Sequence, residues 1–277
     1  MRFLVAVIAL LIPFFSSARQ LTDYVHPWVG SSNFGTTNPG AVCPNGMMSV
    51  SPFNVTGSEK NKWDKDSRWW STPYTSDNCW FTGFSHVNLS GVGCPELGTI
   101  LTMPTSGELL TDYKLYGSEY TSEAATPGYY ALKLSKYDIL AEVAATMRTS
   151  IERYTFRKGK AHIIVNLGQG LTNESGGLIR KISDTEIEGM RLCGGFCYHS
   201  QSVFPQYFVI RVSKKPQVAG FWKKQPNMTA EAEWDEYAGK YKVYTDYARE
   251  MAGDDLGYRF TFDAEDGEQI CVQMGVS

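Results

Sequence analysis

The chain has little that would direct it to a nucleic acid or a membrane. Its 26 lysines and arginines nearly balance 29 acidic residues, and the basic residues form only short pairs such as Lys214-Lys215 and Lys223-Lys224. A nucleic-acid-binding domain would carry a basic patch or stripe. After residue 15 no apolar run reaches the roughly 20 residues that a transmembrane helix needs. We therefore expect no nucleic acid and no membrane among its partners.

The one long apolar run stands at the start of the chain and is typical of a secretion signal. Arg2 precedes an apolar run over residues 3–15, and Ser16-Ser17-Ala18 then provides the small residues that a signal peptidase reads. The run is too short to be a transmembrane helix. It predicts a signal peptide over residues 1–18 and a mature chain over 19–277. We expect that chain to be extracellular or in the lumen of the secretory or lysosomal route.

Glycosylation and disulfides would both agree with this route. Asn-x-Ser/Thr sequons, the acceptors of N-glycans, occur at Asn54, Asn88, Asn173 and Asn227. The six cysteines, which allow 15 complete pairings, are Cys43, Cys79, Cys94, Cys193, Cys197 and Cys271. Cys193 and Cys197 stand close enough in LCGGFC to bridge across their own turn. Zinc is a poor alternative, because the spacing is not that of a knuckle and no histidine pair accompanies it.

Helical patterning is also scarce, and strand patterning replaces it. No segment keeps a 3.6-residue apolar period over three turns. After Pro127 the pattern predicts short strands over residues 129–135, 139–147, 150–156, 161–167, 185–193, 207–213, 240–245, 256–262 and 269–276. In the strand at 256–262, Arg259 and Thr261 alternate with aromatic residues, which predicts one wet face. Many short strands without intervening helices favour a mainly β protein, an antiparallel β-sandwich with long loops and few helices.

The region before Pro127 has a different character. It is rich in glycine, proline, serine and tryptophan, and only residues 100–103 clearly resemble a strand. Its most unusual part is residues 83–98, GFSHVNLSGVGCPELG, with four glycines in sixteen positions. Folded proteins keep such glycines where the backbone turns sharply or approaches another group closely. The stretch is either a loop that presents reactive side chains or a tight connection that satisfies its own backbone.

This stretch resembles the signature of the N-terminal domain of glycoside hydrolase family 92, the calcium-dependent exo-acting α-mannosidases. The neighbours DYVHPWVGSSNFGTTNPGAVCPNGMMSVSPFN (23–54), NKWDKDSRWWSTPY (61–74) and ILTMPTSGEL (100–109) also look like that family. The close resemblance covers about the first third of the mature chain. Beyond Pro127 it depends on strand order and length.

The resemblance implies a fold for this chain and a separate domain that carries the catalytic residues. The N-terminal domain of this family is a β-sandwich of the galactose-mutarotase or supersandwich type, and a larger helical barrel follows it. That second domain supplies the catalytic acid, the base and the calcium ligands, and this sequence lacks it. The full enzyme would release mannose from α-mannosides of N-glycans or mannan with inversion. We expect this chain to meet α-mannoside glycans and the C-terminal barrel as partners, and to bind no calcium and be inactive alone.

The candidate site residues are expected to bind sugar rather than to catalyse. Sugars need an aromatic platform and a few fixed hydrogen-bonding groups. The resemblance and the residue types together nominate Trp63, Asp64, Trp69, His86, Gly93, Cys94 and Glu96, with Trp70 as a further platform. The alternative for the tryptophans is that they pack against the missing domain. No catalytic residue and no metal ligand is predicted, because Asp254-Asp255 and Glu265-Asp266-Gly267 look like turns and no segment has EF-hand spacing.

Two questions stay open at the level of sequence. The final apolar segment, residues 269–276, is either the end of a truncated gene product or an edge strand that closes the protein, and the resemblance favours the first. The other question is whether the chain works with a barrel, as a stand-alone lectin-like module, or only as a structural secreted protein.

Overall fold

The computed structural model describes residues 20–55, 70–171, 176–195, 199, 202–224, 241–244 and 248–277. The predicted signal peptide therefore lies outside the described residues. Helix is limited to a 3₁₀ turn at Leu21–Tyr24 and one α-helical turn, α1, at Tyr113–Tyr116, within these ranges. Asp112 caps α1, because its carboxylate accepts from the backbone N–H of Lys114 at 2.9 Å.

The strands of the described residues run in chain order as follows: β1 Ala41–Val42, β2 Ser49–Pro52, β3 Trp80–Phe81, β4 Phe84–Ser85, β5 Val87–Asn88, β6 Leu97–Thr99, β7 Leu101–Ser106, β8 Ser118–Thr126, β9 Tyr129–Leu134, β10 Ile139–Ala145, β11 Thr149–Phe156, β12 Gly159–Asn166, β13 Gly177–Lys181, β14 Glu186–Gly194, β15 Val203–Val212, β16 Val218–Lys224, β17 Tyr241–Tyr244, β18 Glu250–Gly253, β19 Leu256–Ala264 and β20 Glu268–Val276. Every strand predicted after Pro127 is present, with ends that differ by a few residues.

Two large sheets form an antiparallel β-sandwich, as the strand patterning predicts. In the described part of the chain, one sheet has the order β1-β2-β4-β7-β12-β19-β16-β17 and the other β18-β13-β14-β15-β20-β11-β10-β9-β8-β3. The short pair β5-β6 stands apart from both. Alternate residues face the core; in β11 the even-numbered positions from Ser150 to Phe156 are the buried ones.

The core between the sheets is mostly aromatic and aliphatic. Trp222, Tyr130, Tyr154, Phe84 and Phe156 are fully enclosed there. Burial of one such side chain contributes about 1.5–3 kcal/mol. A second, smaller core lies under the region before Pro127 and consists of Phe53, Val55, Trp70, Leu101 and Leu171. The loop-heavy region is therefore packed on its own cluster.

One sequence expectation about a strand is wrong, and one of the two alternatives for the last segment is excluded. Arg259 and Thr261 do not form a wet face, because they are only 6 % and 7 % exposed. β19 lies between β12 and β16, and its polar side is closed by the Thr261 hydroxyl, which accepts from Arg259 at 2.9 Å and donates to Nδ1 of His162 at 3.0 Å. β20 is not an edge strand, since it pairs with β15 and β11 on its two sides.

The region before Pro127 contains more strand than its composition indicates. The nine-residue strand β8 was not expected, and it carries an irregularity between Thr121 and Ala124 with Ser122 at φ 54°. The acidic turns were predicted correctly. Asp254 and Asp255 connect β18 to β19, and the turn before β20 ends with Gly267 at φ 75°.

Candidate functional site

The glycine-rich stretch folds as a hairpin in which β5 pairs with β6 and residues 89–96 form the loop; we call residues 87–99 the signature hairpin. Gly98 has φ 68°, and a Cβ there would lie 3.0 Å from Cγ of Leu171 and 3.4 Å from a ring carbon of Phe53. Glycine is therefore required at this position both by its left-handed backbone and by close packing.

The residues around Gly98 also adopt uncommon backbone conformations. Leu97 and Ile100 have φ of 64° and 54°, which is rare for a bulky or β-branched residue. Two backbone hydrogen bonds hold this part of the hairpin in place. Leu171 N–H donates to the Leu97 carbonyl and His86 N–H donates to the Thr99 carbonyl, both at 3.0 Å. Conformations of this kind cluster at ligand sites and in tightly constrained turns.

His86 does not line a surface, contrary to its prediction as a sugar-binding residue. It is 0 % exposed. Its Nδ1 lies 2.7 Å from the Ile100 carbonyl, so Nδ1 carries a hydrogen, because a carbonyl only accepts. Its Nε2 contacts the Glu152 carboxyl group, and both side chains are fully enclosed. With both nitrogens engaged, His86 is not available to bind a sugar hydroxyl.

The His86–Glu152 pair extends into a polar network that joins the two sheets. Glu152 lies on β11 of one sheet, and its second carboxylate oxygen accepts from the Thr102 hydroxyl of the other sheet at 2.8 Å. The Tyr154 hydroxyl donates to the same oxygen. Burial and the neighbouring Glu152 raise the pKa of Tyr154 well above its usual value. The network fixes the base of the signature hairpin to the core.

The tip of the signature hairpin is open to solvent. Gly91 and Gly93 are exposed, and a Cβ at either position would meet no atom within 4 Å. The N–H of Gly91 donates to the Thr36 carbonyl at 2.7 Å, which ties the tip to the N-terminal segment. The structure therefore gives Gly93 the accessible backbone that a ligand contact needs, while it encloses His86.

Glu96 lies beneath this tip in a buried polar cluster. It is 3 % exposed, and one carboxylate oxygen accepts from the Leu97 N–H at 3.3 Å. Burial raises the pKa of the Cys193 thiol, Arg191 acts against that rise, and Glu96 adds to it. Burial also lowers the pKa of Arg191 to about 10. Thr99 donates to Gln206 at 2.5 Å, which fastens the signature hairpin to the same cluster.

Cys94 does not offer a thiol, because it is in a disulfide. Cys193 is a free, buried thiol, so the bridge to Cys197 that the spacing would allow is not formed. The physical reason is that Cys193 lies on β14, where its side chain faces the core, 3.6 Å from Gln206. Cys43, Cys79 and Cys271 are free as well.

The segment with Trp63, Asp64 and Trp69 lies outside the described residues. The residues at its two described borders, Val55 and Trp70, both belong to the small core cluster with Leu171. Phe34 stacks on Trp70 with ring centroids 5.8 Å apart, and Phe34 is 64 % exposed. Val55 and Trp70 therefore lie close to the signature hairpin, which Leu171 contacts at Gly98. The exposed ring of Phe34 lies beside Trp70.

Two of the four predicted glycosylation sites can be examined, since Asn173 and Asn227 lie outside the described residues. Asn54 is fully buried, and its amide nitrogen donates to the Thr75 and Asn78 carbonyls at 2.8 and 2.7 Å. A glycan on Asn54 is incompatible with this packing. Asn88 is half-buried and donates to the Ser49 and Ser85 carbonyls at 2.6 and 3.1 Å.

Sequence reasoning missed Glu152, Arg191 and Gln206. A signal was present for Glu152, because it occupies an inward position of the alternating strand β11. A carboxylate at such a position requires a buried partner. Arg191 and Gln206 are likewise inward residues of β14 and β15, but nothing local in the sequence indicates that Gln206 meets Thr99 of the signature hairpin.

The described ranges contain no group of three or more His, Cys, Asp or Glu side chains that could hold a metal ion. Within the same ranges, no helix is long and apolar enough to cross a membrane. No calcium site can therefore be assigned within these ranges.

Known proteins share the sequence and the fold of this chain. Residues 24–277 match the model of the glycosyl hydrolase family 92 N-terminal domain. A family GH92 α-mannosidase from Bacteroides thetaiotaomicron is 28 % identical, with a TM-score of 0.76 over 94 % of this chain and 33 % of its own. An inverting GH92 mannosidase from the same species is 21 % identical, with a TM-score of 0.68 over 94 % of this chain and 32 % of its own, and supports the fold alone.

A curated relative is named an uncharacterized secreted glycosidase, from Arthroderma benhamiae. It is 29 % identical over 150 residues, which is 50 % of this chain and 18 % of that protein. The chain thus spans about a third of its solved relatives, and a smaller share of the curated one. The fold, the signature hairpin and the family match agree, and the chain belongs to glycoside hydrolase family 92 as an N-terminal domain of that family.

Proposed function

We propose that the chain is the substrate-pocket-contributing N-terminal domain of a secreted, calcium-dependent, inverting exo-α-mannosidase that acts on N-glycans or mannan, and that it has no turnover alone. In the proposed enzyme a C-terminal helical barrel supplies the acid, the base and the calcium ligands. The apolar segment within residues 1–18 supports secretion, as does the name of the Arthroderma benhamiae relative, a secreted glycosidase.

The observation that carries this proposal is the construction of the signature hairpin. Its glycine tip is exposed, while Gly98 and Glu96 are buried beneath it. The Cys94 disulfide and the His86–Glu152 network both constrain the loop. A loop that is rigid at its base and exposed at its tip is suited to present a fixed surface to a sugar.

The proposed lack of turnover follows from the chemistry of glycoside hydrolysis. An inverting enzyme needs a carboxylic acid on one side of the scissile bond and a carboxylate with its water on the other. Glu152 is enclosed with His86, Glu96 is 3 % exposed, and Asp254 accepts from the Gly176 N–H at 2.6 Å. Each of these three carboxyl groups is therefore buried or hydrogen-bonded within the domain. No step through calcium is derived for this chain, since the described residues do not fit a site for it.

Purified residues 19–277 test the proposal with an aryl α-mannoside and added calcium. We expect no release of the aryl group. Turnover that disappears in Glu96→Gln and persists in the distant exposed control Glu265→Gln would place catalysis in this chain and overturn the proposal. Calorimetric titration of the same protein with the mannoside tests the lectin-like alternative. Tight mannoside binding that depends on Trp63 or Trp69 would favour a stand-alone module.

A solved complex offers a second test. One structure of the Bacteroides thetaiotaomicron α-mannosidase was determined with mannoimidazole. Superposition of this chain on that complex should bring the positions of Gly93, Cys94 or Glu96 to the rim of the inhibitor site. If all three aligned positions are remote from the inhibitor, the signature hairpin is a structural connection and the proposal fails.

A further inference from the structure

A groove of about 600 Å³ runs beside the signature hairpin. One wall is the hairpin itself, through Asn88, Leu89 and Leu97, and the opposite wall is the start of β15, through Phe204 and Gln206. The turn between β10 and β11 closes one side with Met147 and Arg148. The groove therefore adjoins the proposed sugar loop and shares residues with it.

The groove exposes large apolar side chains. Met47 and Phe204 are each 40 % exposed and Met147 is 53 % exposed, and all three line the groove. Contiguous exposed apolar surface on a folded domain marks a place where something else packs. Arg148 is exposed at the same place and forms no ion pair with any side chain in the described ranges, so an occupant with a carboxylate would also neutralise its charge.

The last residue of the chain lies in this groove and is held there. Ser277 N–H donates to the Tyr207 carbonyl at 3.0 Å and the Ser277 carbonyl accepts from Tyr207 N–H at 2.9 Å. Val276 N–H donates to the Arg148 carbonyl at 3.1 Å. Polypeptide that continues from the position of Ser277 would start inside the groove.

The length of the relatives identifies the occupant. The matched family model is that of an N-terminal domain, and the solved α-mannosidase is three times as long as the part that this chain covers. Further polypeptide therefore follows the position of Ser277 in such proteins. We propose that the groove formed by Met47, Met147, Phe204 and the signature hairpin is the docking surface for that following polypeptide, through an apolar segment with an acidic group opposite Arg148. This inference rests on the proposed function.

The consequence for the site is specific. A segment seated in the groove would contact Asn88, Leu89 and Leu97 directly. The signature hairpin would then be clamped between its own core and the following domain, and its tip would lie at the border of the two. A sugar pocket at that border would be complete only after docking.

The solved relatives allow a direct measurement. After superposition on the Bacteroides thetaiotaomicron α-mannosidase, the exposed area at the positions of Met47, Met147 and Phe204 is measured with and without the rest of that protein. We expect the rest of the protein to cover these positions. Leu115 and Ile182, which are 58 % and 47 % exposed on other parts of the surface, are the matched controls and should keep their exposure. Exposed groove positions in the whole relative would overturn the inference.

Sedimentation equilibrium of this chain tests the other occupant, a second copy. We expect a monomer, whose groove remains free for the following polypeptide. A dimer that Phe204→Glu disperses and the control Leu115→Glu does not would assign the groove to a second copy and refute the inference. Neither measurement uses mannoside binding or turnover, so a failure here is distinguishable from a failure of the proposed function.

Discussion

His86 and Glu152 stand 66 positions apart in the chain and meet as a fully enclosed pair between the two sheets. His86 belongs to the stretch that identifies the family, whereas Glu152 lies on a strand that carries no motif. Because Nδ1 of His86 also binds the Ile100 carbonyl at 2.7 Å, the pair reaches the strained backbone at the end of the signature hairpin. The motif histidine is therefore a structural anchor for the loop.

Removal of the His86 ring is expected to be strongly destabilising. His86→Ala leaves the buried Glu152 carboxyl group without its partner, and breaking a buried pair of this kind typically costs about 3–5 kcal/mol. The control is Glu142→Gln, which breaks the pair with Arg153 on the outer face of the sheet and should cost at most about 1 kcal/mol. Urea unfolding of the three proteins measures the difference. Equal losses in both variants would show that the buried network adds no special stability.

Gly98 and Gly93 make a matched pair within one loop. Gly98→Ala forces a Cβ into the left-handed region, at about 1–2 kcal/mol, and presses it against Leu171 at 3.0 Å. Gly93→Ala adds a methyl group in open space and should change the free energy of unfolding by no more than about 0.5 kcal/mol. Thermal unfolding compares them. A larger loss for Gly93→Ala than for Gly98→Ala would contradict this geometry of the signature hairpin.

The fold was more predictable than the site, and the reason is physical. Strand patterning depends on local alternation, so β9 to β12 could be identified from adjacent residues. The site depends on contacts between residues that are distant in sequence, such as Thr99 with Gln206 or His86 with Glu152. Residue types marked His86 as reactive, but only its enclosure between the sheets shows that it is structural.

The wet face predicted for β19 failed for a related reason. Alternation of Arg259 and Thr261 with aromatic residues is typical of a half-exposed strand. In the structure the polar side is closed by a hydrogen bond from Arg259 to Thr261 and by His162, which also contacts the Gly107 carbonyl at 3.0 Å. A polar pattern can thus be buried when its members satisfy one another, and a single strand does not contain that information.

The cysteines should differ sharply in their reaction with an alkylating reagent. Cys79 is an exposed thiol and should react first in the native protein. Cys193 is buried, and burial raises the pKa of its thiol, so it should react only after unfolding, since the thiolate is the reactive form. Cys94 should react only after reduction. Peptide mass spectrometry of the labelled protein distinguishes the three, and rapid native labelling of Cys94 would disprove the disulfide.

Glycan occupancy should be unequal among the sequons. Asn54 donates both amide hydrogens to carbonyls in a fully buried site, so we expect it to be unmodified in protein secreted from a eukaryotic host. Asn54→Gln should lower the thermal stability, because a longer amide cannot keep the same hydrogen bonds. Glycopeptide mass spectrometry measures the occupancy. A glycan on Asn54 in correctly folded protein would contradict its enclosed position.

Alkaline pH should unfold the protein through its buried phenols. Burial raises the pKa of Tyr258 to about 12, and burial, with Glu152 next, raises the pKa of Tyr154 well above its usual value. In the unfolded chain a tyrosine loses its proton near pH 10, so the unfolded state releases protons while the folded state retains them. Stability from these groups is complete below about pH 10 and falls as the pH rises through the folded pKa values.

Arg191 acts in the opposite direction, because burial lowers its pKa to about 10, but it is one group against several tyrosines. Phenolate absorbance and circular dichroism, followed together, should change in one cooperative step for the buried tyrosines; phenolate formation without loss of structure would contradict the prediction.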